Sequence, residues 1–272
     1  MKRIVSILLL LALAGHVSAQ TDSAFRLYKI LKVTATDFAL DNLDNLFVVT
    51  ATDGLKKFNA AGDSVAVYND VKRFGKLYSL DVSNPLKLLL FYKDFASVVI
   101  LDRLLSQQGV LDLRRYRMGQ VSAVGASYDN NIWVFDALES KLKKLNETGK
   151  VLQETVDFRQ LFNTPVQPEK IIDQDGWVYL YDSNYGVYVF DHYGSFQKKY
   201  PLPKWASLQV LNKRLVGVAD NSLMFFNTGT LLQQQYQFPS SFGAFNRYLI
   251  GNTRLFALGK DSLSVYDLRL NK

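Results

Sequence analysis

The chain has 272 residues, of which 48% are hydrophobic, and a formal net charge of +7. That length suits one large β-rich domain, and the mildly basic charge favours acidic partners without being a nucleic-acid signature. The chain contains no cysteine, which excludes disulfides, iron–sulfur clusters, thiolate zinc sites and cysteine nucleophiles.

The first predicted element is a signal peptide over residues 1–19. Lys2 and Arg3 form a positive n-region, residues 4–14 are apolar, and small residues end the segment at 17–19. The apolar run of about eleven residues is too short to cross a bilayer, which needs about 20, and no later run is longer. No cysteine follows, so a lipoprotein is not expected. We expect cleavage between Ala19 and Gln20, export to a periplasm or the cell exterior, and one domain over residues 20–272.

A repeated column of residues runs through the rest of the chain. In each copy a large apolar residue is followed three positions later by another, and then at once by Asn or Asp. These polar positions lie 36 to 45 residues apart and are Asn59, Asp102, Asn146, Asp191, Asn227 and Asp267. Four copies carry a glycine two or three residues later. This pattern predicts a tight turn between antiparallel strands, because glycine adopts positive φ without steric cost.

A second short β run precedes each column. These runs are bounded by turn residues and cover 46–50, 88–92, 132–135, 177–181, 214–218 and 254–258. Each unit therefore has four short strands, and repeats of roughly 40–45 residues with four strands are typical of β-propeller blades. We predict the strand nearest the axis in each blade at about 37–41, 76–81, 120–125, 169–173, 207–211 and 245–250.

The last unit ends soon after Asp267 and lacks an outer strand. The β-like run over about 25–33 precedes the first full unit and is predicted to complete this last blade. Closing the ring in this way removes two open sheet edges. The sequence thus predicts an all-β, six-bladed propeller with four antiparallel strands per blade.

Two segments carry a family resemblance. The stretch from Asp44 to Gly62 and the stretch from Asp175 to Gly194 resemble NHL-type and TolB-like six-bladed propeller repeats. The likeness spans nearly all of residues 20–272, but its motifs specify turns and core. The resemblance implies the fold, and members of this group include scaffolds, binders and a few enzymes, so function requires a site of its own.

Candidates for chemistry are few. His192 is the only histidine outside the signal peptide, and we expect it to be a solvated turn residue, which argues against a histidine-rich metal site or a Ser-His-Asp triad. Glu169, near the start of the fourth inner strand, is a weak candidate for a channel metal ligand; the inner strands otherwise read as apolar at mid-length. One Asp per blade recurs between the second and third strands, either capping its own turn or forming a ring that binds a cation. This set is Asp53, Asp94, Asp136, Asp182, Asp220 and Asp261.

The connections from the outer strand of one blade to the inner strand of the next, here called the crossovers, are rich in arginine and aromatic residues. In a four-stranded blade they share one face of the propeller with the turns between the second and third strands. Guanidinium groups bind carboxylates and phosphates, and neighbouring aromatic rings stack on sugars or cations. The predicted binding residues are Arg73, Phe74, Arg114, Arg115, Tyr116, Arg117, Arg159, Phe162, Lys204 and Trp205. The longest crossover, 157–167, is a candidate lid or partner loop.

The sequence therefore favours a non-enzymatic binding or scaffold propeller of a bacterial cell envelope, without a cofactor. Its crossover face would contact an acidic protein or an anionic envelope polymer, and export argues against a nucleic-acid partner. One alternative is a metal-dependent, lactonase-like hydrolase or lyase centred on the channel. Another is a carbohydrate-binding module that uses Trp205, Tyr116 and Phe162 as stacking platforms.

Overall fold

The strands of this protein form six separate four-stranded antiparallel sheets. The structure is a computed structural model that describes residues 24–270, so the predicted signal peptide lies outside the described residues. In chain order the sheets of blades 1 to 5 each use four consecutive strands, and blade 6 combines three late strands with the first strand of the chain. The predicted fold class, blade count and strand number are confirmed.

The strands of the first three blades follow the predicted repeat. Blade 1 contains β2 (Ala35–Leu40), β3 (Leu46–Thr50), β4 (Leu55–Phe58) and β5 (Ser64–Tyr68). Blade 2 contains β6 (Ser79–Asp81), β7 (Leu88–Tyr92), β8 (Ser97–Leu101) and β9 (Gln107–Asp112). Blade 3 contains β10 (Val121–Ala126), β11 (Ile132–Asp136), β12 (Lys141–Leu145) and β13 (Val151–Glu154).

The other three blades complete the ring. Blade 4 contains β14 (Lys170–Gln174), β15 (Trp177–Asp182), β16 (Gly186–Phe190) and β17 (Phe196–Tyr200). Blade 5 contains β18 (Ala206–Leu211), β19 (Arg214–Ala219), β20 (Ser222–Asn227) and β21 (Gln233–Gln237). Blade 6 contains β22 (Arg247–Ile250), β23 (Arg254–Leu258), β24 (Ser262–Leu268) and β1 (Phe25–Lys32).

Short helical turns occupy some of the connections. Two single-turn α-helices, α1 (Val71–Phe74) and α2 (Phe158–Leu161), lie in crossovers. Two 3₁₀ turns cover Lys93–Phe95 and Leu113–Tyr116. Within residues 24–270 no helix is long and apolar enough to cross a membrane.

The N-terminal strand closes the ring as predicted. β1 pairs antiparallel with β24, from Phe25 opposite Leu268 to Lys32 opposite Ser262, with one bulge near Tyr28. Phe25 is buried and its ring lies 5.2 Å from that of Phe238 in blade 5. This pairing covers the edge of β24 that would otherwise remain open.

The hydrophobic core lies between the blades. Six clusters of buried side chains each join two neighbouring blades, and the last cluster joins blade 6 to blade 1. Central strands such as β7, β11 and β16 are buried along their whole length. Both faces of these strands therefore pack against neighbours, which explains why they read as continuous apolar runs.

The repeated Asn/Asp column has a structural role in the turn after the third strand. Asn59 Oδ1 accepts hydrogen bonds from the backbone N–H groups of Gly62 and Asp63 at 2.9 and 2.8 Å. The corresponding oxygens of Asp102, Asn146, Asp191 and Asn227 accept backbone N–H groups in the same way. In the sixth copy Asp267 instead accepts from Arg254 Nε at 3.0 Å, because β24 pairs with β1 and no such turn follows. The column thus fixes turns, as its residue types indicate.

Candidate functional site

The crossovers leave the outer strands of blades 1 to 5 and enter the inner strands of the next blades, so they share one end of the propeller, here called the crossover face. The strand order in every sheet puts β2, β6, β10, β14, β18 and β22 at the inner edge. Each of these strands starts at the crossover face and runs to the opposite face. The topology therefore places the predicted arginine-rich connections on a single side.

Three arginines of the crossover between blades 2 and 3, here called the arginine cluster, are exposed on this face: Arg114, Arg115 and Arg117. Arg114 donates from Nε to Asp112 Oδ1 at 3.0 Å, and Arg115 Nε lies 3.7 Å from the other carboxylate oxygen. These contacts hold the 3₁₀ turn, and hydrogen bonds from Arg114 keep the pKa of Asp112 below its ordinary value. One carboxylate contacts two of the three guanidinium groups, so the cluster has excess positive charge.

The other predicted cations of this face are spread out. Arg159 is 61% exposed and forms a close pair with Asp157, with Nη2 2.6 Å from Oδ2. The guanidinium carbon of Arg73 lies 5.0 Å from the Phe74 ring centroid, as in a cation–π contact. Lys204 is exposed with a positive φ of 60°. These three residues are not brought together with the arginine cluster into one site by any contact in residues 24–270.

Most of the predicted aromatic partners point into the core. Phe74 and Trp205 are each 5% exposed, and Phe162 packs edge-on against Tyr188 at 4.8 Å. Tyr116 is 40% exposed. Of the three rings proposed as sugar-stacking platforms, Tyr116 alone is therefore accessible, because the crossovers pass over the clefts between blades and their rings fill those clefts.

The longest crossover is fixed to the blades rather than free. Phe158 and Val166 are buried, and Phe158 stacks on Phe190 of blade 4 at 5.0 Å. The backbone N–H of Gln167 donates to Asp182 Oδ2 at 2.8 Å. The candidate lid 157–167 is thus packed over the junction of blades 3 and 4, and its residues do not line the channel.

The recurring Asp residues between second and third strands differ in environment. Asp136 and Asp182 are both 1% exposed and cap their own turns, accepting from the N–H groups of Leu138 and Asn184 at 3.1 and 2.9 Å. Asp53, Asp94, Asp220 and Asp261 are at least partly exposed. In the described part of the chain no three His, Asp or Glu side chains lie close enough to hold a metal ion.

A central channel of about 1240 Å³ runs along the axis. The wall combines apolar residues at mid-length of the inner strands, such as Ile171 and Val210, with polar and charged ones, because the side chains of a strand alternate in direction. The wall includes Asp37, Asp81, Lys170, Gln209 and Arg247. Period-two alternation in the predicted inner strands was the signal that could have identified them.

Glu169, the weak candidate for a metal ligand, lies at the channel wall near the crossover face. Its Oε1 accepts the backbone N–H of Ser183 at 3.1 Å. The next residue, Lys170, points toward blade 5 and donates from Nζ to the Leu208 carbonyl oxygen at 2.6 Å. The sequence therefore identified the correct strand end, but the neighbouring lysine is the residue with the unusual environment.

Two cations face the channel near this end. Burial, together with the positive charge of Arg247, lowers the pKa of Lys170 to about 8 from an ordinary value of 10.5. Arg247 Nε lies 2.8 Å from Asp37 Oδ1; this N–H is not aligned as a hydrogen bond, so the contact is an ion pair by distance. Besides these two cations the channel wall includes Lys204 and Glu169. The one carboxylate that forms an ion pair with either Lys170 or Arg247 within residues 24–270 is that of Asp37.

His192 is not the solvated turn residue that its position predicts. Its Nε2 lies 2.8 Å from Oδ1 of Asp173, whose side chain is 1% exposed, and its ring stacks on Tyr128 at 4.0 Å. The second oxygen of Asp173 accepts from Trp133 Nε1 at 2.9 Å and from Ser127 Oγ at 3.1 Å. Asp173 therefore joins blades 3 and 4 on the side opposite the crossovers. No local sequence signal predicts this, since the partners come from different blades.

Together these features define a six-bladed β-propeller that is closed by its N-terminal strand and has a charged axial channel. This is the class of protein predicted from the repeats, and the fold is consistent with the NHL-type and TolB-like resemblance.

Comparison with known proteins gives similar folds. No protein-family model and no curated protein matches this sequence. A structure of streptogramin B lyase is 14% identical, with a TM-score of 0.60 over 85% of this chain and 78% of that one. Virginiamycin B lyase from Staphylococcus aureus is 11% identical, with a TM-score of 0.60 over 90% and 99%. BamB from Moraxella catarrhalis is 14% identical, with a TM-score of 0.50 over 86% and 83%. At these identities the likeness shows the fold alone.

Proposed function

We propose that this chain is an exported, non-enzymatic binding or scaffold propeller of a bacterial cell envelope. Its partner is an acidic protein surface or an anionic polymer, which contacts the crossover face. The observation that carries the proposal is the arginine cluster, in which three guanidinium groups are exposed and two of them, those of Arg114 and Arg115, share the single carboxylate of Asp112. A rigid blade presents these groups on a short connection, where binding residues of many folds concentrate.

The side chains of the arginine cluster suit an acidic partner. Arg115 is 80% exposed and Arg114 is 55% exposed, so both reach solvent despite their contacts with Asp112. Exposed charges of this kind contribute mainly to the rate and specificity of association. Because such attraction is screened over about 8 Å at physiological salt, binding should weaken as the salt concentration rises.

The test reverses the charge of the cluster. The triple variant Arg114→Glu, Arg115→Glu and Arg117→Glu should lose capture of the partner in a crosslinking pull-down from the native envelope, and lose salt-sensitive binding to immobilised poly-glutamate. The melting temperature should change little, because all three side chains are exposed.

A matched control carries the same change in net charge elsewhere. Lys29, Lys56 and Lys213 are exposed on blades 6, 1 and 5, outside the crossovers, and their replacement by Glu should leave binding nearly intact. If the arginine variant binds as well as the wild type, or both triple variants lose binding equally, the assigned face is wrong.

The proposed export has a separate test. Mass spectrometry of the protein from fractionated cells should find Gln20 as the first residue, in the periplasmic or the extracellular fraction. Recovery of a chain that retains Met1 in the cytoplasm would contradict export.

A further inference from the structure

The cations at the crossover end of the channel are not all paired with a carboxylate. Lys170 and Arg247 both face the channel, and Arg247 has Asp37 as its ion-pair partner at 2.8 Å. Among residues 24–270, no carboxylate oxygen lies within 4.0 Å of Lys170 Nζ; its hydrogen bond goes to the Leu208 carbonyl. A charged group removed from bulk water normally requires an opposite charge.

The other nearby carboxylate, Asp81, is already engaged. One of its oxygens accepts the backbone N–H of Ser83 at 2.8 Å, and the other accepts that of Ala126 in blade 3, also at 2.8 Å. Asp81 therefore fixes the inner strands of blades 2 and 3. It lies close enough to favour the charged form of Lys170, but burial and Arg247 outweigh it, because the pKa of the lysine is lowered.

The wall that holds Lys170 contains a specific irregularity. The pairing of β18 with β19 shifts between Ala206 and Gln209, and Ser207 has a positive φ of 57°. This bulge places Ser207 and Leu208 opposite a single residue, Gly217, and the Leu208 carbonyl accepts from Lys170. A Cβ on Gly217 would lie 3.0 Å from the Trp205 ring, so a larger residue there would crowd the ring beside the bulge. Bulges of this kind often re-aim groups beside binding sites.

We propose that the crossover end of the channel binds the carboxylate or phosphate group of a small organic anion, with Lys170 and Arg247 as its cationic partners. Both cations can donate hydrogen bonds to oxyanions, and such charge-assisted bonds are the strong ones. The channel volume of about 1240 Å³ exceeds the roughly 300–1,000 Å³ of usual small-molecule sites. Apolar wall residues, among them Ile172 and Leu249, can contact the remainder of the ligand.

Isothermal titration calorimetry with inorganic phosphate and with succinate tests this site. Wild-type protein should bind at least one of these probes, and Lys170→Met should weaken binding by about tenfold or more, the effect of losing one charge-assisted hydrogen bond. Lys170→Arg, which keeps the charge, should retain part of the affinity. Binding of phosphate alone assigns a phosphate ligand, and binding of succinate alone assigns a carboxylate.

Controls separate this site from the crossover face and from general charge effects. Lys56→Met removes an exposed lysine and should bind both probes as the wild type does, as should the triple variant of the arginine cluster. Wild-type affinity for succinate, both of whose carboxyl groups are ionised above pH 7, should fall as the pH rises from 7 to 9, since Lys170 loses its proton in that range. Failure of both probes to bind at millimolar concentration, or unchanged binding by folded Lys170→Met, would overturn the proposal.

Discussion

Replacement of Lys170 by methionine should make the protein more stable at neutral pH. The pKa of Lys170 is about 8 in the folded protein, against an ordinary value of 10.5. Between these values the unfolded chain binds more protons than the folded one, so stability rises with pH across this window. Below pH 8 the protein carries the whole cost of the buried charge. At about 1.4 kcal/mol per pKa unit this cost is at most about 3.5 kcal/mol.

The substitution also removes the hydrogen bond from Lys170 to the Leu208 carbonyl. That loss costs about 1 kcal/mol, so the net gain at pH 7 is about 2 kcal/mol. At pH 10 most of the charge penalty has gone from the wild type. The two contributions then nearly cancel, and the variant should be about as stable as the wild type.

Urea unfolding at pH 7, 8, 9 and 10, followed by tryptophan fluorescence, measures this difference. The chain has no cysteine, so alkaline pH introduces no thiol chemistry. Burial raises the pKa of Tyr68 and Tyr179 to about 12. Unfolded tyrosines therefore ionise first and stability falls above pH 10, but this effect is common to both proteins and cancels in their difference.

The control is Lys56→Met, which changes an exposed lysine and should show no pH-dependent difference from the wild type. The reasoning is refuted if Lys170→Met is less stable than the wild type at pH 7, or if the difference between them does not shrink toward pH 10. A bound oxyanion should also shrink the difference at pH 7, because it stabilises the wild type only.

Three further substitutions test the fold by urea unfolding. Gly186→Ala should lower the free energy of unfolding by at least about 2 kcal/mol more than Gly176→Ala. Both glycines have positive φ, but a Cβ at 186 would clash with the Tyr200 carbonyl, whereas a Cβ at 176 meets nothing within 4 Å. Equal costs for the two substitutions would contradict this. Asp173→Ala should lower the free energy of unfolding by about 3 kcal/mol or more, because it leaves several hydrogen-bond donors without their acceptor. A loss of stability under 1 kcal/mol would mean that water replaces the carboxylate. Phe25→Ala should lower the free energy of unfolding by about 3–5 kcal/mol, because the buried phenyl ring anchors the closing strand β1. A variant of nearly wild-type stability would show that the pairing of β1 with β24 is enough to close the propeller.

The fold could be predicted because its repeat is written in local residue patterns. Residues such as Asn59 and Asp191 fix the turn that follows them, through bonds to backbone groups only two to four positions away. The missing outer strand after Asp267 pointed to the chain's own first strand, because a sheet edge must be covered. Information of this kind is contained within one blade.

The candidate site was predicted less well because it depends on contacts between blades. Lys170 bonds a carbonyl 38 residues away, and His192 contacts Asp173 of its own blade and stacks on Tyr128 of the neighbouring blade. The crossover rings also misled, since Trp205 follows an exposed lysine in sequence but fills the cleft beneath it. The presence of polar residues in a crossover does not indicate which of its other side chains point into the hydrophobic core.

The distribution of the hydrophobic core explains how the channel can hold the Lys170 ammonium group without an ion-pair partner. Most burial comes from the second and third strands of each blade, in clusters that join neighbours around the ring. The inner strands contribute one face to these clusters and leave the other for the channel. A cost of at most about 3.5 kcal/mol for a half-buried ammonium is therefore tolerable while six inter-blade clusters remain. At 10–14% identity the similar structures share the fold alone, so the chemistry of the channel wall is a better guide to a ligand than the fold.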